Sequence, residues 1–106
     1  MAEQQPKYVS PVKQAERALE EIERYAVTDV WSGMMARAII VFFKTTHSYT
    51  LDGGRRVSRT DATIERARRE FFSDSAYREH RDEIDAGIGP ARTALRKARE
   101  ELLAQL

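Results

Sequence analysis

Apolar residues recur at steps of three and four along most of this chain, the spacing that gathers side chains onto one face of an α-helix. Val12, Ala15, Leu19, Ile22 and Ala26 share such a face, while Glu16, Glu20, Glu21, Glu23 and Arg24 occupy the others. Ser10 and Pro11 stand where this helix should start. A serine hydroxyl accepts an orphan N–H there, and proline at the first helical position has no N–H to leave unpaired. Residues 1–9 carry no apolar rhythm and read as a loose arm ahead of one helical domain over 10–106. The stripe runs on through Val30, Met34, Ala38 and Val41. A break is expected near Thr28 and Asp29, where β-branched Val27 and Thr28 weaken a helix and both Thr28 and Asp29 suit an N-cap.

Between residues 30 and 43 only Ser32 and Arg37 are clearly polar, and a helix apolar on nearly every face is a buried one. A central apolar helix over about residues 28–46 follows. A strand over 38–43 is the competing assignment, which the length of the run and its Met-Met-Ala-Arg-Ala lead-in disfavour. Residues 47–59 contain Asp52, Gly53 and Gly54 and read as a long Gly-containing loop or a weak hairpin pairing 49–51 with 56–58. Ser58, Thr60 and Asp61 then cap a third helix with Ile64, Ala67, Phe71 and Phe72 on its inner face. A short fourth helix turns Tyr77, Ile84 and either His80 or Arg81 inward and closes at Gly87, read as a left-handed residue. Gly89 and Pro90 open a last helix, proline again at the first position, with Ala91, Ala98, Leu102, Leu106 and either Ala94 or Leu95 along its stripe. The fold class is all-α, a small bundle of four or five helices. Its expected large buried side chains are Leu19, Ile22, Met34, Ile39, Phe42, Phe71, Ile84, Leu95 and Leu102.

Composition restricts what such a bundle does. With 106 residues there is room for one core and no separate cofactor domain. Charged residues make up 33% and apolar ones 42%, too apolar for a disordered tail and too charged for a membrane protein. The formal charge of +1 gives no global field for a polyanion, although six basic and three acidic residues over 54–70 precede two basic and five acidic over 71–90. The absence of cysteine excludes disulfides, thiolate metal sites and a cysteine nucleophile. The N-terminus shows no basic-then-apolar leader, so a cytoplasmic setting is expected.

Candidate chemistry is sparse. His47 and His80 stand 33 residues apart, and Glu79, His80 and Glu83 are the one dense group of ligand types; at helix spacing these read as solvated charges, so no metal site is expected. No nucleophile motif is present, and the Asp52-Gly53-Gly54 turn lacks the strand and lysine of a phosphate loop. No catalytic residue and no cofactor is assigned. Two functions remain. The first is a non-enzymatic protein-interaction module, binding itself as a homodimer or docking to a larger partner as adaptor or inhibitor. Its expected anchors are Trp31, Met35, Leu102, Leu103 and Leu106, apolar residues in excess of what one small core needs. The alternative is nucleic-acid binding by Arg55, Arg56, Arg59, Arg66 and Arg69, clustered densely enough to track a phosphate backbone. A membrane partner is not expected.

Overall fold

The computed structural model describes residues 8–24, 30–45, 51–52, 55–56 and 59–106, with 51, 52, 55, 56, 59 and 60 described in their backbone alone. Its elements are α1 (Pro11–Arg24), α2 (Val30–Thr45), the short strands β1 (Leu51–Asp52) and β2 (Arg55–Arg56), α3 (Arg59–Phe71), α4 (Asp74–Glu79), α5 (Arg81–Asp85) and α6 (Ile88–Ala104). The expected bundle of four or five helices is present, its fourth member broken in two at His80. β1 and β2 pair antiparallel, Leu51 opposite Arg56 and Asp52 opposite Arg55, so the weak hairpin forms across a two-residue connection. The expected arm lies mostly outside the described residues, and so does the break at Thr28 and Asp29, although α1 and α2 are separate helices on either side of it.

Charge pairs report how the helices run. Glu23 meets Arg37 at 3.9 Å and Glu16 meets Lys44 at 3.7 Å, which makes α1 and α2 antiparallel. Arg17 meets Glu101 at 3.5 Å and Glu21 meets Lys97 at 2.7 Å, which sets α6 antiparallel to α1. These pairs are exposed enough to be worth only about 0.2–1 kcal/mol each, so they fix direction more than stability. The apolar interior holds the fold. α2 packs against α1, α3, α5 and α6, which confirms its central place. Nine of the eighteen buried hydrophobic residues are alanines, among them Ala15 and Ala18 of α1, Ala36 and Ala38 of α2, and Ala91, Ala94 and Ala98 of α6. Side chains this small let helix backbones approach closely. Ile39, Ile40, Met35 and Ile84, all with no exposed surface, fill the centre. One polar side chain joins them: Gln14 is buried and donates from Nε2 to the Leu95 carbonyl at 2.8 Å, removing the penalty of an unpaired amide.

Helix ends follow local chemistry in part. α1 begins at Pro11 as expected, and the Gln14 N–H donates to the Ser10 carbonyl at 2.9 Å. Ser73 caps α4, its Oγ accepting the Ala76 N–H at 3.2 Å. Gly87 corrects the sequence reading, since its φ of −79° is right-handed. Glycine is needed there for room: a Cβ would fall 2.2 Å from the Ser32 carbonyl oxygen and 2.9 Å from the Met35 Cβ. α6 then starts at Ile88, ahead of the expected Pro90, which still sits inside the first turn where its missing N–H costs nothing.

The Cα framework measures 59 × 39 × 17 Å. With packed helix axes about 8–10 Å apart and Cα atoms about 2.3 Å from each axis, the shortest dimension holds two layers of helices and no third. α2 is therefore central within the slab and still has one side turned to solvent.

Candidate interaction surface

The solvent side of α2 is set by its two charged residues. Arg37 and Lys44 are seven positions apart, hence on one arc of the helix, and each reaches sideways to a glutamate of α1. Val30, Met34 and Val41 share that arc at four- and seven-residue spacing and are 71%, 46% and 41% exposed. Ser32, Met35, Ala36, Ile39, Ile40 and Phe43 lie on the other faces and are buried. Met34, expected in the core, is thus on the surface, and Met35, expected at an interface, is wholly inside. One residue's rotation separates these fates.

The apolar surface continues toward α3. Phe42 is half-buried and meets Phe71 edge-on, ring centroids 4.9 Å apart and planes at 86°. Phe71 is 49% exposed, against the expectation that it would face inward, while its neighbour Phe72 takes the interior position. The Arg66 guanidinium lies 5.6 Å from the centre of the Phe42 ring and pairs with Glu70 at 3.4 Å. Val30, Met34 and Val41 thus form an apolar row on the arc that bears Arg37 and Lys44, and Phe42 and Phe71 form an aromatic pair between α2 and α3 beside Arg66, each of these three cations being paired with a glutamate.

The remaining sequence-predicted residues are dispersed. Trp31 is half-buried, stacked on His80 at 4.2 Å with the rings 17° from parallel, and tilted against Phe72 at 6.4 Å. Leu102 and Leu103 are half-buried and Leu106 is 69% exposed. Leu102 and Leu106 border a groove of about 300 Å³ with Tyr8, Val9 and Lys13, at the far end of α6. Leu19 and Phe42 of the expected core are likewise only half-buried. Of the arginine cluster, Arg66 is paired as above, Arg69 is exposed with no ion pair among the described residues, and the side chains of Arg55, Arg56 and Arg59 lie outside the described residues.

A second polar cluster occupies the bend between α4 and α5. Tyr77 donates its phenol proton to Asp85, with oxygens 3.1 and 3.0 Å away, and Arg68 reaches the same carboxylate at 3.4 Å. The Arg68 Nε is buried without a hydrogen-bond partner, as is the His80 Nδ1, whose 3.6 Å to Glu83 is too long for a hydrogen bond. Partial burial pushes the Tyr77 phenol above its ordinary value of about 10. The hydrogen bond and charge of Asp85 add to this, while Arg68 and Arg81 oppose it. A folded state that keeps this proton longer than the unfolded chain loses stability as pH rises past about 10. Tyr77→Phe is therefore expected to lessen the fall in urea midpoint between pH 9 and pH 11. An unchanged fall would show that Tyr77 does not contribute to it.

Among the described residues no group of three or more histidines, aspartates and glutamates converges as metal ligands do, and no helix is long and apolar enough to cross a membrane. No protein-family model matches the chain, and no curated protein or solved structure is significantly similar to it.

Proposed function

We propose that this chain is a small non-enzymatic protein-interaction module whose docking face is the outward arc of α2 with the adjoining edge of α3. The observation that carries this reading is the row Val30, Met34 and Val41, exposed on the one arc of α2 that also bears Arg37 and Lys44. Apolar surface rimmed by polar residues is a recurring feature of protein-binding sites. Leu102 and Leu106 lie at the far end of α6, beside Tyr8 and Val9 and apart from this row. The nucleic-acid alternative gains less from the geometry. Of its five arginines, Arg66 is paired with Glu70, Arg69 is exposed with no ion pair among the described residues, and the side chains of Arg55, Arg56 and Arg59 lie outside the described residues.

A photo-crosslinking residue placed at position 34, and separately at the exposed position 96, tests the reading in the native host. Covalent adducts to polypeptide are expected from position 34 and not from 96. They should disappear when Val41→Glu and Phe71→Glu are added, and survive Leu106→Glu. Adducts to nucleic acid alone, or none from position 34, would overturn it.

A further inference from the structure

We infer that His80 is a proton-operated clamp: protonated, it holds the bend between α4 and α5 tightly against Trp31, and neutral, it holds that bend more loosely. The inference is independent of the docking face proposed above. Little else closes the bend, since α4 buries no side chain and α5 buries only Ile84. His80 stands at the junction of the two helices, its ring stacked on Trp31 with centroids 4.2 Å apart and planes 17° from parallel. Trp31 in turn lies against Phe72, so the grip of this one side chain sets how firmly two aromatic residues stay covered.

Hydrogen bonding is the first argument. The His80 Nδ1 is buried with no hydrogen-bond partner. A neutral imidazole has one N–H and one bare nitrogen, so either tautomer leaves a buried polar atom unsatisfied at that position. Protonation makes both nitrogens donors, and each has a carboxylate near it: a Glu83 oxygen 3.6 Å from Nδ1 and a Glu79 oxygen 4.0 Å from Nε2. The side chains of Glu83 and Glu79 are 50% and 77% exposed, so each is free to close the remaining distance. The indole face is the second argument. A cation within about 6 Å of an indole centroid is attracted by the negative face of the ring, more strongly than by any other aromatic side chain. Local charge is the third. α4 and α5 bring Asp74, Glu79, Asp82, Glu83 and Asp85 against Arg78 and Arg81. From α3 comes Arg68, itself paired with Glu65 and Asp85, while residues 30–36 of α2 carry no charge. Tyr77 stays a neutral phenol below pH 10. Acidic groups thus outnumber basic ones around the bend, which favours a positive ring.

Stability held by the protonated ring is present in full at low pH and is lost as pH rises through the range in which histidine gives up its proton, about pH 5–8. Two measurements on the full chain test this. Trp31 is the one tryptophan and His47 the one other histidine, so Trp31 emission followed from pH 5 to pH 8.5 reports the charge on His80, because a protonated imidazole stacked on indole quenches it. Urea unfolding at pH 5.5 and pH 8 reports the grip. Emission is expected to fall on acidification, and the unfolding constant to rise between pH 5.5 and pH 8 by about tenfold more in the wild type than in His80→Gln. His47→Gln should keep both responses. Glu83→Gln should keep the emission response and lessen the stability response. Emission that ignores pH, a response that survives His80→Gln, or equal pH dependence of unfolding in the wild type and His80→Gln would each overturn the inference. Should His80→Gln fail to fold, an undiminished stability response in Glu83→Gln would overturn it instead.

Discussion

Replacing Gly87 by alanine is expected to destabilise the chain by about 3 kcal/mol or more, measured as a drop in urea midpoint at unchanged slope. The added methyl would sit 2.2 Å from the Ser32 carbonyl oxygen, 2.9 Å from the Met35 Cβ and 3.0 Å from the Ala36 N. Two of these three atoms are backbone of the central helix, so no rotamer change relieves the clash. Either α2 or the corner between α5 and α6 must move, and moving the corner loosens Ile84, which has no exposed surface. Gly89, two residues on, is the internal comparison. Nothing lies within 4 Å of a Cβ built there, so Gly89→Ala should be neutral or stabilise by up to about 1 kcal/mol through helix propensity. Equal effects at the two sites would refute the close approach at Gly87.

Ile39→Ala should cost about 2–5 kcal/mol, a large part of the roughly 5–15 kcal/mol that a folded domain of this kind possesses. Ile39 is fully buried at the middle of α2, between helices whose facing positions are largely alanine. Alanine neighbours have no side chain to swing into the space left behind, so the cavity stays open and the cost belongs toward the upper end. Val41→Ala, two residues away on the outward arc, should change stability by no more than about 0.5 kcal/mol in the monomer. Thermal or urea melts of the two variants at low concentration separate them. Equal losses would mean that the inward and outward arcs of α2 have been assigned wrongly.

That assignment shows where sequence reading succeeded and where it stopped. Helix periodicity places α1, α2, α3 and α6 closely, because stripes of thirteen residues or more leave little ambiguity, and Ser10 with Pro11 marks the start of α1. Within α2 the pattern is nearly saturated with apolar residues, and a stripe drawn through Val30, Met34 and Val41 fits the spacing as well as one through Met35 and Ile39. The signal that separates them was in the chain: Arg37 and Lys44 share the arc of Met34, and a charged arc is the solvent arc. Phe71 and Phe72 were beyond this kind of reading, since they close a helix where one residue's rotation decides which ring turns inward. Gly87 was legible as a special position and not as to cause, because a missing Cβ serves a left-handed turn and a close backbone approach equally well. The docking face inherits the same limit. That α2 carries more apolar surface than its neighbours cover is readable from composition, and which residues are left over depends on the packing.

The broken fourth helix bears on how the molecule comes apart. α4 is six residues long and buries no side chain, and α5 buries only Ile84. The bend between them rests on the stack of His80 against Trp31 and on the Tyr77 and Asp85 hydrogen bonds. α1, α2 and α6 each bury four or more side chains, in an interior that Ile84 and Phe72 also join. Residues 73–80 are therefore expected to open at lower free energy than the three long helices. In that partly open form Trp31 and Phe72 lose their cover. The apolar surface is then expected to vary with that opening, and the amide protons of residues 73–80 should exchange faster than those of α1, α2 and α6.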